Sequence, residues 1–231
     1  MIRIYLNQEL EAGNLLLLDD KIHHYLINVM RSKIGYQILM FNGVDGEFSG
    51  IIKEINKKST SIYIEKKLQE QSFCSDLCLI FAPIKPHRLS FLIEKATELG
   101  VTKFIPVITK HTANRDINID KLLLVAIEAS EQSRRLDVPV IEKIQTLDKL
   151  LNSWDNKKII LCSEHETSTN IKEITDAHCL MVGPEGGFSS DEIENLVKHP
   201  MIKSCSLGER ILRAETASIA ALSFLNLNRF N

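Results

Sequence analysis

HCLMVGPEGGFSSDEIENLVK, residues His178 to Lys198, holds in succession an apolar run, a glycine-rich loop and an amphipathic run. The run His178 to Val182 is too short for a buried helix and reads as a strand covered on both faces. Glycines at 183, 186 and 187 surround Pro184 and Glu185, which permits positive φ angles and close backbone approach. Ser189 followed by Glu192 has the sequence of a capping box, so a helix is expected over Ser190 to Lys198. A strand that passes into a helix through such a loop is the repeating unit of a parallel α/β sheet.

The same unit recurs from about residue 76. Strands are expected at Leu77–Pro83, Lys103–Thr109, Val138–Ile144, Lys158–Cys162 and Ile202–Leu207. Helices are expected at Arg88–Leu99, Ile119–Arg135, Leu147–Trp154 and Arg213–Leu227. This alternation favours a largely parallel sheet with helices on both faces. The first 70 residues differ in texture, with β-rich segments at Arg3–Leu6, Tyr36–Asn42, Glu47–Ile55 and Ser59–Lys67. Gly43-Val44-Asp45-Gly46 has hairpin chemistry, and one helix is expected near Lys21–Arg31, capped by Asp19 or Asp20. A small β-barrel or open sheet fits residues 1–70, a polar linker fits Gln69–Asp76, and an α/β domain fits residues 76–231.

The composition, 44% hydrophobic and 25% charged over 231 residues, is that of a globular chain with a sizeable core. No apolar run approaches the roughly 18 residues needed to span a membrane. The first ten residues carry no apolar signal core, so the cytoplasm is the expected compartment. Five scattered cysteines with no CxxC spacing point to buried free thiols, with no metal site and no disulfide. A net charge of −2 excludes a generally basic surface, and residues 1–72 are balanced, so any nucleic-acid contact needs a local patch.

Ligands in open α/β sheets lie beyond the carboxyl ends of the strands. Three such ends carry unusual residues: Leu161-Cys162-Ser163-Glu164, the Gly183–Ser189 loop, and LGERILRAETA from Leu207 to Ala217. The glycine-rich loop reads either as a tight turn or as a ligand cradle. It lacks the Lys-Ser/Thr of a phosphate loop, and GxGxxG is absent from the chain. Arg210 and Arg213 either start a solvated helix or orient an anionic or carbonyl-rich group.

Taken together, GPEGGFSxxE and LGxRILRAETA resemble the RsmE family of 16S ribosomal RNA methyltransferases, within the SPOUT superfamily. Lys85, KATELGV (Lys95–Val101) with Pro106, and EASEQSRR (Glu128–Arg135) with Pro139 resemble its central blocks. HHYLINVMR (His23–Arg31) and FNGVDGEF (Phe41–Phe48) resemble its amino-terminal barrel. The likeness thus runs over nearly the whole chain. It departs at Met30, at Asn42 and in the apolar stretch Lys121–Val125.

The resemblance implies a SPOUT-type parallel sheet with a carboxy-terminal trefoil knot, and a PUA-like β-barrel in front of it. It also implies a homodimer that methylates N3 of a uridine in 16S rRNA or the small ribosomal subunit, using S-adenosyl-L-methionine. The cofactor residues are then expected to be Leu161, Ser163, Glu164, Gly183, Pro184, Glu185, Gly186, Gly187, Leu207, Gly208, Ile211 and Leu212. Loss of the N3 proton spreads negative charge onto the flanking carbonyl oxygens, where arginine is a suitable fixed donor. Arg213 is the first candidate, followed by Arg134 and Arg210, while Glu215 is the nearby carboxylate for a base or for orienting Arg213. His23, His24, Arg31, Lys85 and Arg88 are the expected RNA contacts. A related enzyme acting on a ribose hydroxyl or on transfer RNA, an idle RNA-binding protein and a small-molecule enzyme are the alternatives.

Overall fold

The computed structural model describes residues 1–154, 157–163, 169–171 and 178–229. It divides into two compact units, Met1–Phe73 with Ser130–Val138, and Cys74–Ala129 with Pro139–Asn231.

The first unit is built on a five-stranded mixed sheet. Its strands are β1 (Ile2–Tyr5), β2 (Leu15–Leu17), β3 (Gln37–Phe41), β4 (Glu47–Ile55) and β5 (Thr60–Gln69), in the order β1-β3-β4-β5-β2. β1 runs parallel to β3, and the other pairs are antiparallel. Alternate residues of these strands, among them Ile4, Ile38, Met40, Phe48, Ile52 and Ile62, form one core. The expected helix begins as α1 (Asp20–His24), with the Asp19 carboxylate accepting the Ile22 N–H. It then widens into a π-helical turn at Tyr25–Val29. Ser32 N–H closes on Leu26 O at 2.9 Å, and between them Arg31 takes φ +54°. That is the position after a helix end where glycine is usual.

Ser130–Val138 belongs to this unit, because Arg3 gathers its carbonyl oxygens. The Arg3 guanidinium donates to Ser130 O (2.9 Å) and Arg135 O (2.8 Å), and lies 3.9 Å over the Phe41 ring. Its Nε also meets Glu47 at 2.7 Å. Carbonyls at a helix end have no partner within the helix, and a fixed cation satisfies them.

The second unit contains β6 (Cys78–Phe81), α2 (Pro86–Glu98), β7 (Lys103–Ile108), most of α3 (Ile119–Ser133), β8 (Val140–Ile141), β9 (Gln145–Thr146) and α4 (Leu147–Asn152). It continues with β10 (Ile159–Cys162), β11 (Thr169–Asn170), β12 (Cys179–Val182), α5 (Ser190–Lys198), β13 (Ile202–Ser206) and α6 (Ala214–Arg229). The sheet order is β11-β13-β10-β12-β6-β7-β8, with β9 beside the far end of β7, and every pair is parallel.

Burial explains the apolar runs. Leu79, Phe81, Ile160, Leu180 and Cys205 face α2, α3 and α6 in one core. Their neighbours Cys78, Ile80, Ile159, Leu161 and Met181 pack on the other side with α4 and α5. With both faces covered, the strands need apolar residues at every position. The helices expected on both faces are therefore present.

The strand expected at Val138–Ile144 shrinks to Val140–Ile141, because only Lys103 and Phe104 of β7 lie opposite it. Strands β2, β9 and β11 were not expected. They are two or three residues long and too short to show a period of two.

No helix among the described residues is long and apolar enough to cross a membrane.

Candidate functional site

Strands β13, β10 and β12 lie side by side with their carboxyl ends level: Cys162 stands opposite Cys205, and Leu161 opposite Met181. The loops that leave these ends surround a cavity of about 550 Å³, a volume suited to a nucleoside-sized ligand. The three strand ends singled out in the sequence are thus neighbours in space.

The wall after β12 is the Gly183–Gly187 run followed by Phe188. Its three glycines have three different causes. Gly187 needs glycine for its backbone, at φ +68°. Gly183 needs it for space, since a Cβ there would stand 2.9 Å from the Phe188 ring. Gly186 is approached by His111, whose Cβ would lie 3.2 Å from an added Cβ. Gly187 N–H donates to Pro184 O at 2.9 Å and closes the loop into a turn. Past it, Ser189 and Glu192 form the expected capping box, and α5 begins where the sequence places it.

Glu185 turns its carboxylate to the Lys85 N–H at 3.4 Å. Lys85 is the N-cap residue of α2, with no side-chain cap of its own. A carboxylate there satisfies a free donor and favours the positive end of the helix dipole. Glu185 lines the cavity while anchoring its loop to α2.

The wall after β13 contains Leu207, Gly208, Ile211 and Leu212, together with Arg210 and Arg213. Gly208 holds φ +119°, a conformation side chains rarely adopt. Ser163 lines the cavity at the end of β10, whereas Leu161 is wholly buried in the strand behind it. Glu164 lies outside the described residues.

Arg210 and Arg213 are exposed, and among the described residues neither has a hydrogen bond or ion pair from its side chain. Glu215 does not serve them. Its Oε1 stands 3.6 Å from Arg88 Nε, and its other oxygen is buried without a hydrogen bond among the described residues. The carboxylate expected beside Arg213 thus pairs across to α2, and Arg88 is half-buried in that pair. Arg134 belongs to the first unit, exposed at the end of α3 with φ +60°.

Of the expected RNA contacts, His23 is buried, and its Nδ1 meets Thr60 Oγ1 at 2.8 Å. Its ring is thus held within the first unit. His24, Arg31 and Lys85 are exposed.

Cys162, Phe188, Ala214 and Ala217, which stand in the three strand ends but not among the expected cofactor residues, also line the cavity, as does Ile193. Apolar residues beside a glycine loop give no signal distinct from core. The Cys162 thiol is pushed up by its hydrogen bond with Cys205 and by burial, so it stays protonated and is no activated nucleophile. Among the described residues no His, Cys, Asp and Glu cluster could hold a metal ion.

Comparison with known proteins agrees with this geometry. Residues 70–226 match the RNA methyltransferase domain family, and residues 18–62 match the RNA methyltransferase PUA domain. The ribosomal RNA small subunit methyltransferase E of Rickettsia conorii is 40% identical over 232 residues, covering 97% of this chain and 95% of its own. The enzyme of that name from Neisseria gonorrhoeae, solved with S-adenosylmethionine, superposes with a TM-score of 0.86 at 28% identity, covering 98% of this chain and 97% of its own. A Legionella pneumophila protein solved with SAM as bound cofactor gives a TM-score of 0.88 at 30% identity, with 98% and 97% covered. The chain belongs to the ribosomal RNA small subunit methyltransferase E family.

Proposed function

We propose that this protein transfers a methyl group from S-adenosyl-L-methionine to N3 of a uridine in 16S ribosomal RNA. The observation that carries this reading is the cavity at the ends of β10, β12 and β13, walled by glycine backbone and edged by two guanidinium groups that have no side-chain partners among the described residues. The residues fit the cofactor. The volume suits it, and Gly187 and Gly208 have open space where a side chain would start. The Gly183–Gly187 and Leu207–Leu212 segments would hold its adenosine part, with Ser163 at the edge.

When bound, the cofactor supplies a methyl group already activated by its positively charged sulfur. The protein's part is to align the uridine and to stabilise its charge. As N3 gives up its proton to water, negative charge moves onto the two flanking carbonyl oxygens. Arg213, and after it Arg210, present several guanidinium N–H donors to those oxygens. Glu215 is committed to Arg88, so its role is to hold the start of α6, and with it the backbone of Arg213, in place. Arg134 remains a further candidate, and His24, Arg31 and Lys85 are the proposed RNA contacts. We further infer a homodimer that works in the cytoplasm, on the small ribosomal subunit.

Small subunits from a strain lacking this enzyme, incubated with the protein and methyl-labelled cofactor, are expected to acquire label in 16S rRNA. Label absent from both subunits and free 16S rRNA would remove the reading.

A further inference from the structure

Two carbonyl groups of the glycine-rich loop are held from outside, by a histidine that the proposed reaction does not use. His111 lies just beyond β7, in a turn fixed by its own threonines. Thr109 N–H donates to Thr112 Oγ1 at 2.8 Å, the two hydroxyl oxygens are 2.8 Å apart, and Thr112 N–H returns to Thr109 O at 3.2 Å. The turn is also tied to α5. Lys110 N–H donates to one oxygen of Glu192 at 2.7 Å, while the other accepts Ser189 N–H at 2.8 Å.

From this base, His111 Nδ1 lies 3.1 Å from Gly186 O and 3.2 Å from Gly187 O. Both partners are carbonyl oxygens, which only accept, so Nδ1 carries the hydrogen and donates. In a trans peptide the N–H points opposite the C=O. Anchoring the Gly187 carbonyl therefore also sets the direction of the Phe188 N–H, and anchoring the Gly186 carbonyl supports the Gly187 N–H in its bond to Pro184 O. His111 itself does not line the cavity.

We propose that His111 is a positioning residue for the cofactor loop: its Nδ1–H holds the Gly186 and Gly187 peptides in the orientation that the bound nucleoside requires. The inference rests on the cofactor site proposed above, and it concerns the loop before any ligand arrives. Asparagine can place a side-chain N–H close to the position of Nδ1, whereas leucine fills similar space without a donor.

The test compares His111→Leu and His111→Asn with the parent chain. S-adenosylmethionine affinity is read by calorimetry, and amide hydrogen exchange at Gly187 and Phe188 is followed in the cofactor-free protein. One hydrogen bond of ordinary net strength corresponds to about a three- to tenfold effect. His111→Leu is expected to bind the cofactor more weakly by about that factor and to exchange faster at both amides. Its KM for the cofactor should rise with kcat nearly unchanged. His111→Asn should recover most of both losses. Parent-like affinity in His111→Leu overturns the proposal, as does His111→Asn no better than leucine, or loop exchange unaltered by either. A parent chain that fails to bind S-adenosylmethionine overturns the cofactor reading instead, and the exchange result still decides whether His111 holds the loop.

Discussion

Arg213→Ala is expected to bind S-adenosylmethionine with parent-like affinity and to lose methyl transfer by about 100- to 1000-fold. The separation follows from where the side chain starts. Arg213 precedes α6, and its carbonyl accepts the Ala217 N–H at 2.8 Å, a bond that alanine keeps. The backbone wall of the cavity therefore survives the change. The lost group is an exposed guanidinium with no side-chain partner among the described residues, so no buried charge is stranded. What disappears is a fixed donor for charge that forms only as N3 is deprotonated, and such donors act on kcat more than on binding. Arg210→Ala should lose less, because Arg210 lies farther from the α6 start that fixes Arg213. Single-turnover transfer and calorimetry on the same preparation check both. Near-parent turnover in Arg213→Ala would remove it from the mechanism.

The opposite pattern is expected for the glycine walls. Gly183→Val should abolish measurable cofactor binding while the chain stays folded. A Cβ at 183 would stand 2.9 Å from the Phe188 ring, and valine adds two methyl groups beyond it. Phe188 packs against the core on the α4 and α5 side, which limits its retreat, so the loop must shift away from the cavity. Gly208→Val meets a different obstacle. A Cβ there finds nothing within 4 Å, but φ +119° is a conformation that β-branched residues avoid. Holding it costs on the order of 1–3 kcal/mol, and relaxing it moves the Leu207–Leu212 wall. Circular dichroism should remain parent-like for both variants, with calorimetric heat lost. A normal titration by either would mean that these walls do not hold the cofactor.

Much of this was legible in the sequence, for a physical reason. The strands β10 and β12 are covered on both faces, so they stand out as uninterrupted apolar runs ending in glycine or polar residues, whereas β13 (IKSCS) leaves Lys203 exposed. Ser189 and Glu192 announce α5 because a capping box is a local interaction three residues long. Where contacts join distant parts of the chain, the sequence is silent. His111 reaches Gly186 across 75 positions, and nothing near either residue signals the other. Glu215 was expected beside Arg213 because they are two apart, yet a neighbour in sequence is seldom the partner on a helix. Its cation is Arg88, far earlier in the chain. Likewise Ser130–Val138 joins the first unit through Arg3, a contact that periodicity cannot reveal. The glycines were recognised as important, but only Gly187 and Gly208 among those of the site bear out positive φ as the cause. Gly183 and Gly186 are glycines because Phe188 and His111 come close.

The central claim is that this site methylates a base nitrogen of uridine. The most direct test is to digest the labelled 16S rRNA to nucleosides and identify the methylated product by mass spectrometry. The expected product is N3-methyluridine, formed by the parent chain and nearly absent with Arg213→Ala. A 2′-O-methyl nucleoside, or a methyl group on any base other than uracil, would contradict it.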